Sequence, residues 1–502
     1  MRKFLKDDLC KIIEQLASVN ETLIKKGVGV SQEQAQGVLT DCQQAAVEVG
    51  EKIEASEGEG TEAVHLLEEY CEKVYFLCVN WNDAKTKDKE LKNIRTLLNK
   101  VKNAILYDIP NSKKEVVFLP YKASMWDSLE SVWKAADEDP ECDAYVIPIP
   151  YYDKNPDGSF KEMHYEGDLY PDYVPMTDWQ KYDLQKRHPD VVFIHNPYDD
   201  GNHVTSVHPF FYSKNLKQFT DKLVYIPYFV LGEMDPFDET SERIAHFVLS
   251  SGVINSDVTI VQSEAMRKIY INILKKQFSK KELSDGAASI IESKILPLGS
   301  PKFDKVFSLQ KEDYPLPAEW QERIGNKKVV MFNNSIPQIL AHKEVFLDKL
   351  EKILRYFKSN EEYILWWRPH PLIDASIESM RPQLVTRYRK IVEDYCGENY
   401  GIYDKTPDLY RAIAWSDRYY GAKSSVIWLY GMTGKPLMTV STGVGIRENF
   451  NIEDWYTSDI EENDLDDWLC GLEKWKLTKR IFDMFPQENR DGQIGTRIYK
   501  SL

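Results

Sequence analysis

From Val116 onward the sequence alternates short, wholly apolar runs with amphipathic segments, and this alternation constrains the fold more than any other feature. Val116 to Leu119, Ala144 to Ile149, Val191 to Ile194, Leu223 to Ile226 and, Thr259 apart, Val258 to Val261 have no polar side to give to water. Strands buried on both faces and separated by helices make a parallel sheet covered by those helices. Ligands of such sheets sit beyond the carboxyl ends of the strands. The residues that follow the strands therefore carry most functional weight: Tyr121, Lys122, Tyr151, His195, Asn196, Tyr228, Ser263 and Glu264.

A second alternation starts at Lys328-Val329-Val330-Met331-Phe332 and runs through Tyr363 to Trp367, Ile402-Tyr403, Arg418 to Gly421 and Pro436 to Val440. The Gly/Pro turn within Lys294 to Asp304, KILPLGSPKFD, separates the two series. Two α/β domains joined by a short linker form a cleft between their carboxyl edges. The expected division is 1–108 for a helical module, 113–300 and 301–480 for two Rossmann-like domains, and 481–502 for a helical tail.

The first 108 residues read differently. Leu5, Leu9, Ile12, Leu16, Val19 and Leu23 recur at spacings of four and three, as do Leu39 to Ile53, Val64 to Cys78 and Leu91 to Ile105. Each series gives one helix a single apolar stripe, and four such stripes bury one another in a bundle. Gly27 to Gly29 and Gly58 to Gly60 interrupt the rhythm, and Ser31 with Gln34 fits a capping box. The module is expected to be structural, with homo-oligomerisation through its helices as a further role.

Composition excludes several classes. A net charge of −16 over 502 residues disfavours nucleic acid as a partner, whereas a nucleotide-sized anion needs only a few oriented donors in a cleft. Seven scattered cysteines without a CxxC pair fit reduced thiols better than disulfides or zinc. The longest apolar runs fall short of the ~20 residues that cross a bilayer, and acids interrupt the apolar N-terminus. A cytoplasmic location is expected, with peripheral association at the inner face of the membrane. No Walker A or GxSxG sequence is present. The acidic run Glu233 to Glu239 is read as a solvated loop rather than a metal site.

The chemistry concentrates in the second series. Between Leu409 and Met438, Ser424-Ser425 falls where a strand hands over to a helix, and Lys423 precedes it. Free N–H groups and the helix dipole favour an anion at such a junction. Ser424 is either a plain N-cap or part of a phosphate cradle. Arg368-Pro369-His370-Pro371 follows an apolar strand, and Asn333-Asn334 ends the first strand of the same domain. All of these are candidates for donor binding. In the first domain His195 follows the strand VVFI and is the candidate general base, with His203 and His208 competing for the role.

In this order, the motifs Gly299-Ser300-Pro301-Lys302-Phe303-Asp304, Arg368-Pro369-His370-Pro371, Ser416-Asp417, Ser424-Ser425, Lys435-Pro436 and Asp491-Gly492 resemble the CDP-glycerol glycerophosphotransferase family of teichoic-acid polymerases and primases. The resemblance is good over 295–500, weaker over 113–294 and absent from the helical module. It implies a GT-B-like fold: two Rossmann-like domains facing a cleft, here preceded by an N-terminal α-helical bundle. It also implies that His370, Ser424 and Ser425 hold the donor's pyrophosphate, while His195 matches the family's base. Ala422-Lys423 stands where the family has Asp-Tyr, and the Gly-Thr that follows the family's base is missing after His195. The implied activity moves an alcohol phosphate from a CDP-activated donor, most simply CDP-glycerol, to a hydroxyl of a polyol-phosphate or glycan acceptor, releasing CMP. It would serve cell-envelope polymer synthesis in a bacterium. No cofactor or metal is expected. A GT-B glycosyltransferase using a nucleotide sugar and an inactive GT-B-like interaction protein are the alternatives.

Overall fold

A computed structural model describes residues 1–502 except 27–29, 156, 279–284, 371–372, 407, 423, 441–455, 458–484 and 487. The chain divides into two compact units: Met1–Glu115 with Glu141–Asp143 and Gln185–Asp190, and the remainder.

Four helices fill the first unit: α1 (Lys3–Lys26), α2 (Gln32–Glu57), α3 (Glu62–Val79) and α4 (Ala84–Asn103). Their stripes meet as the sequence rhythm demands, with Leu9, Leu16, Leu39, Ile53, Leu67, Val74, Leu91 and Val101 buried in one core. The capping box at Ser31 is formed, its hydroxyl accepting from the N–H of Gln34 while the Gln34 side chain accepts from the N–H of Ser31. Such reciprocal caps satisfy donors that the first turn leaves open. Arg187 closes a bidentate pair on Glu115 at 2.8 and 2.7 Å, and Arg2 adds a third contact at 3.2 Å.

Among the described residues the second unit holds two six-stranded sheets and one small antiparallel sheet. The strands in chain order are β1 (Lys114–Leu119), β2 (Cys142–Val146), β3 (Tyr151–Lys154), β4 (Phe160–His164), β5 (Val191–Ile194), β6 (Thr205–Val207), β7 (Lys222–Tyr225), β8 (Val258–Ile260) and β9 (Ile295–Leu296). There follow β10 (Lys328–Asn334), β11 (Tyr363–Pro369), β12 (Ile402–Tyr403), β13 (Arg418–Ala422), β14 (Leu437–Val440) and β15 (Tyr456–Thr457). The first sheet runs in the order β2-β1-β5-β7-β8-β9 and the second in the order β12-β11-β10-β13-β14-β15. Ladders from β1 through β5, β7 and β8 to β9 are parallel, as are all those of the second sheet.

Both orders reverse direction once. In the second sheet the chain starts at β10, moves outward through β11 and β12, then returns to the other side of β10 as β13. That is the dinucleotide-fold order, and its crevice opens between β10 and β13. The first sheet reverses between β1 and β5. The antiparallel sheet β4-β3-β6 was not expected from the sequence, because its exposed residues break the apolar signature of a buried strand.

Polar side chains link the two sheets' domains. Lys302 reaches both carboxylate oxygens of Asp127, at 2.5 and 2.6 Å, and the Tyr410 hydroxyl donates to the same carboxylate. Asp304 accepts from the N–H groups of Ile494 and Gly495 and so caps the helix Ile494–Lys500. The Tyr499 hydroxyl of that helix donates to Asp139 at 2.7 Å, and Lys222 donates to the carbonyl of Leu502. The linker motif SPKFD thus fastens the domains together.

Candidate functional site

The site is built on the reversal of the second sheet. Pairing register places Arg368 of β11, Asn333 of β10 and Gly421 of β13 in one row across the sheet. Gly421 has φ +150°, and a Cβ there would lie 2.1 Å from the carbonyl oxygen of Asn333. Only glycine lets the two strands approach this closely. Each strand then gives way to a helix: β10 to Ile336–Ser359 and β13 to Ser425–Met432. Two helix N-termini consequently flank the crevice, and each contributes unpaired N–H groups and positive potential.

Asn334 is 1% exposed, and its amide oxygen accepts the indole N–H of Trp367 at 2.7 Å. An indole nitrogen only donates, so this bond fixes which way the amide faces. Its NH2 group is buried and has no hydrogen-bond partner among the described residues. Leaving such a donor unpaired costs about 1–3 kcal/mol. Asn333 has a different job: its NH2 donates to the carbonyl of Arg368 at 3.0 Å, and its oxygen accepts from the Ser424 hydroxyl at 3.3 Å. It therefore ties β10 to both neighbours.

Ser424 is the N-cap residue of Ser425–Met432, yet its side chain makes no capping bond and turns to Asn333 instead. Ser425, the first residue of the helix, is exposed. His370 lies just past β11, with its N–H donating to the carbonyl of Asn334 at 3.2 Å. Its ring is solvent-accessible, and partial burial lowers its pKa below the ordinary 6.5, which leaves it neutral at pH 7. Lys423 falls outside the described residues.

Arg368 departs from expectation. Its guanidinium donates to Asp404 at 2.7 Å and to the carbonyl of Thr406 at 2.6 Å, in a pair whose side chains are 9% and 0% exposed. The same carboxylate also accepts from the Trp366 indole at 3.0 Å. The arginine charge is thus neutralised within the sheet edge, where it binds β11 to the loop after β12 rather than facing a phosphate. Lys435, from the Lys-Pro motif, is likewise structural. It donates to the carbonyls of Ile413, Ala414 and Ser416, capping the end of the helix Leu409–Trp415, and burial pushes its pKa down to about 8.

His195 lies at the reversal of the first sheet. It is 0% exposed, and Nε2 accepts the N–H of Tyr121 at 3.1 Å. Nδ1 lies 2.9 Å from the Ser128 hydroxyl, which itself donates to the carbonyl of Met125 at 2.7 Å. These bonds require the proton on Nδ1, so neither nitrogen has a lone pair to offer a substrate. Burial, with the Lys302 charge nearby, pushes its pKa down to about 3. The imidazole fills the reversal of the first sheet with both ring nitrogens engaged by the protein itself. His208 is the N-cap of a short turn and accepts from the N–H of Phe210, which commits it to structure as well.

One carboxylate of the acidic run Glu233 to Glu239 stands at this edge rather than in solvent. Glu233 follows β7, is half-buried, and accepts from Gln262 and Ser263, both at 2.8 Å. The sequence signal was Gln262-Ser263 directly after a strand, which marks the sheet's carboxyl edge without showing what it would hold.

No family model matches the sequence, and no curated protein matches it. Among solved structures, similarity is found to the wall teichoic acid polymerase TagF, in a histidine-to-asparagine variant with CDPG, at TM-score 0.47 and 15% identity over 88% of this chain and 97% of that one. A UDP-N-acetylglucosamine 2-epimerase gives TM-score 0.45 and 12% identity over 77% and 95%. The Neisseria meningitidis UDP-GlcNAc 2-epimerase bound to UDP-GlcNAc gives TM-score 0.44 and 11% identity over 77% and 99%.

Proposed function

We propose that this chain is a transferase that moves an alcohol phosphate from a CDP-activated donor, most simply CDP-glycerol, to an acceptor hydroxyl, releasing CMP. The observation that carries the reading is the crevice between β10 and β13, where the Ser424 hydroxyl at the N-terminus of Ser425–Met432 donates to Asn333 rather than capping its own helix, while the buried NH2 of the adjacent Asn334 lacks a partner among the described residues. A pyrophosphate would supply acceptors to that amide, to the Ser425 hydroxyl and to the free N–H groups of the helix. Neutral His370 would donate from one ring nitrogen to a non-bridging oxygen. These donors, with Lys423, would stabilise the charge that builds on CMP as it departs, an electrostatic role that grows in the transition state.

The cytidine base and the alcohol are assigned through the motif resemblance over 295–500. The acceptor is taken to be a polyol phosphate or glycan of a bacterial envelope polymer, handled in the cytoplasm at the inner face of the membrane. Among the described residues no helix is long and apolar enough to cross a membrane, so contact with a lipid-linked acceptor would be peripheral.

Calorimetry with CDP-glycerol, CDP-ribitol and UDP-sugars tests the reading. A CDP-alcohol bound at least tenfold more tightly than any UDP-sugar supports it. Preference for a UDP-sugar would assign a glycosyltransferase, and absence of any nucleotide binding would make the chain an interaction protein.

A further inference from the structure

With both ring nitrogens of His195 engaged inside the first sheet, the proposed transfer needs another base, and Glu233 is a carboxylate held at the carboxyl edge of the first domain. We propose that Glu233 is the general base that takes the proton from the acceptor hydroxyl, an assignment that rests on the transferase reading above.

Geometry carries the argument. The loop after β7 is pinned by Gln262, whose amide oxygen accepts the N–H of Leu231 at 3.0 Å and whose NH2 donates to the Leu231 carbonyl at 2.7 Å. The same NH2 holds one oxygen of Glu233, and the Ser263 hydroxyl holds the other, both at 2.8 Å. Ser263 also accepts from the N–H of Met266 at the start of the helix Glu264–Phe278, so the carboxylate is anchored to a rigid element. Immediately before it, Gly232 packs against the second domain: a Cβ there would lie 2.5 Å from the ring of Trp428. Trp428 stands three residues after Ser425 on the helix Ser425–Met432, so the two share one face about one turn apart. The residue preceding Glu233 thus abuts the helix whose N-terminus is the proposed pyrophosphate site.

The chemistry balances without a further reactant. The acceptor O–H gives its proton to a Glu233 oxygen while the acceptor oxygen bonds to the β-phosphorus of the donor. The bond from that phosphorus to the bridging oxygen breaks, and its electron pair leaves on CMP. Glu233 then returns the proton to water. Burial raises the carboxyl pKa above its ordinary 4.5, and the nearby Glu488 charge acts in the same direction against the bonds from Gln262 and Ser263. Glu488 is held by the N–H of Glu264, and Glu264 itself faces Arg267. A carboxylate shifted upward is a stronger base than an ordinary one.

The test uses the full chain, CDP-glycerol as donor and a synthetic glycerol phosphate trimer as acceptor, with CMP release as readout. Glu233→Gln should keep the melting temperature and bind CDP-glycerol within about twofold of the native chain, while kcat falls about 10²- to 10⁴-fold with little change in KM. Glu233→Asp should restore part of the lost kcat, and the acidic limb of the native pH profile should lie above the usual carboxylate range. Turnover by Glu233→Gln within about threefold of the native rate would overturn this assignment and leave the transferase reading standing. A native chain that bound no CDP-glycerol would overturn both.

Discussion

The backbone N–H of Tyr121 donates to Nε2 of His195 over 3.1 Å, and so stitches β1 to β5 at the reversal of the first sheet. The equivalent crevice of the second sheet, between β10 and β13, is closed at its base by Gly421 against Asn333 and lined by donors above. One chain thus carries two reversals of the kind that binds ligands, and fills one of them with its own imidazole.

Removing that imidazole should cost stability rather than donor binding. His195→Ala leaves the Tyr121 N–H buried without an acceptor and opens a cavity, which together amount to about 2–4 kcal/mol. Urea unfolding should show this loss while CDP-glycerol affinity of the folded protein stays within about twofold. Because the folded pKa is about 3 against an ordinary 6.5, the unfolded chain binds this proton more readily. The contribution is complete above pH 6.5 and is lost as pH falls toward 3, at up to about 1.4 kcal/mol per pH unit. In His195→Ala that part of the acid sensitivity should vanish.

Gly421→Ala should disrupt the seam itself. The added Cβ, 2.1 Å from a backbone carbonyl, cannot be relieved by rotating a side chain, so β10 and β13 must part. A loss of at least about 2 kcal/mol is expected, and donor affinity should fall with it because the crevice widens. Differential scanning calorimetry and titration with CDP-glycerol measure the two effects.

Asp404→Ala should unfold the edge of the second sheet. It strands the Arg368 guanidinium, which is 7% exposed, at a cost of about 3–5 kcal/mol. Replacing both partners, Arg368→Met with Asp404→Leu, should recover much of this in a urea titration. Recovery of stability together with retained CDP-glycerol binding would show that the arginine is structural.

Ser425→Ala and His370→Ala should act on the ligand and not on the fold. Both side chains are exposed, so melting temperatures should hardly move. Each would remove one hydrogen bond to an ionised group, worth about 1.5–3 kcal/mol, or about 10- to 100-fold in CDP-glycerol affinity by calorimetry. Unchanged affinity in both variants would remove the crevice as the donor site.

The sequence by itself determined what depends on local pattern. Short apolar runs rich in β-branched and aromatic residues, such as Val116–Leu119 and Tyr363–Trp367, read as buried strands, and spacings such as Leu39 to Ile53 read as helical stripes. Both signals are carried by each residue's own chemistry and period, so they are legible without knowing the neighbours. Tertiary structure decided which strand ends meet and which polar groups are already satisfied. Arg368 and His195 follow strands as the sequence says, but only strand order brings Asp404 to the one and Tyr121 with Ser128 to the other. Asn334 and Glu233 gained their interest the same way. A polar side chain's availability depends on long-range partners such as Trp367 and Gln262, which no local pattern encodes.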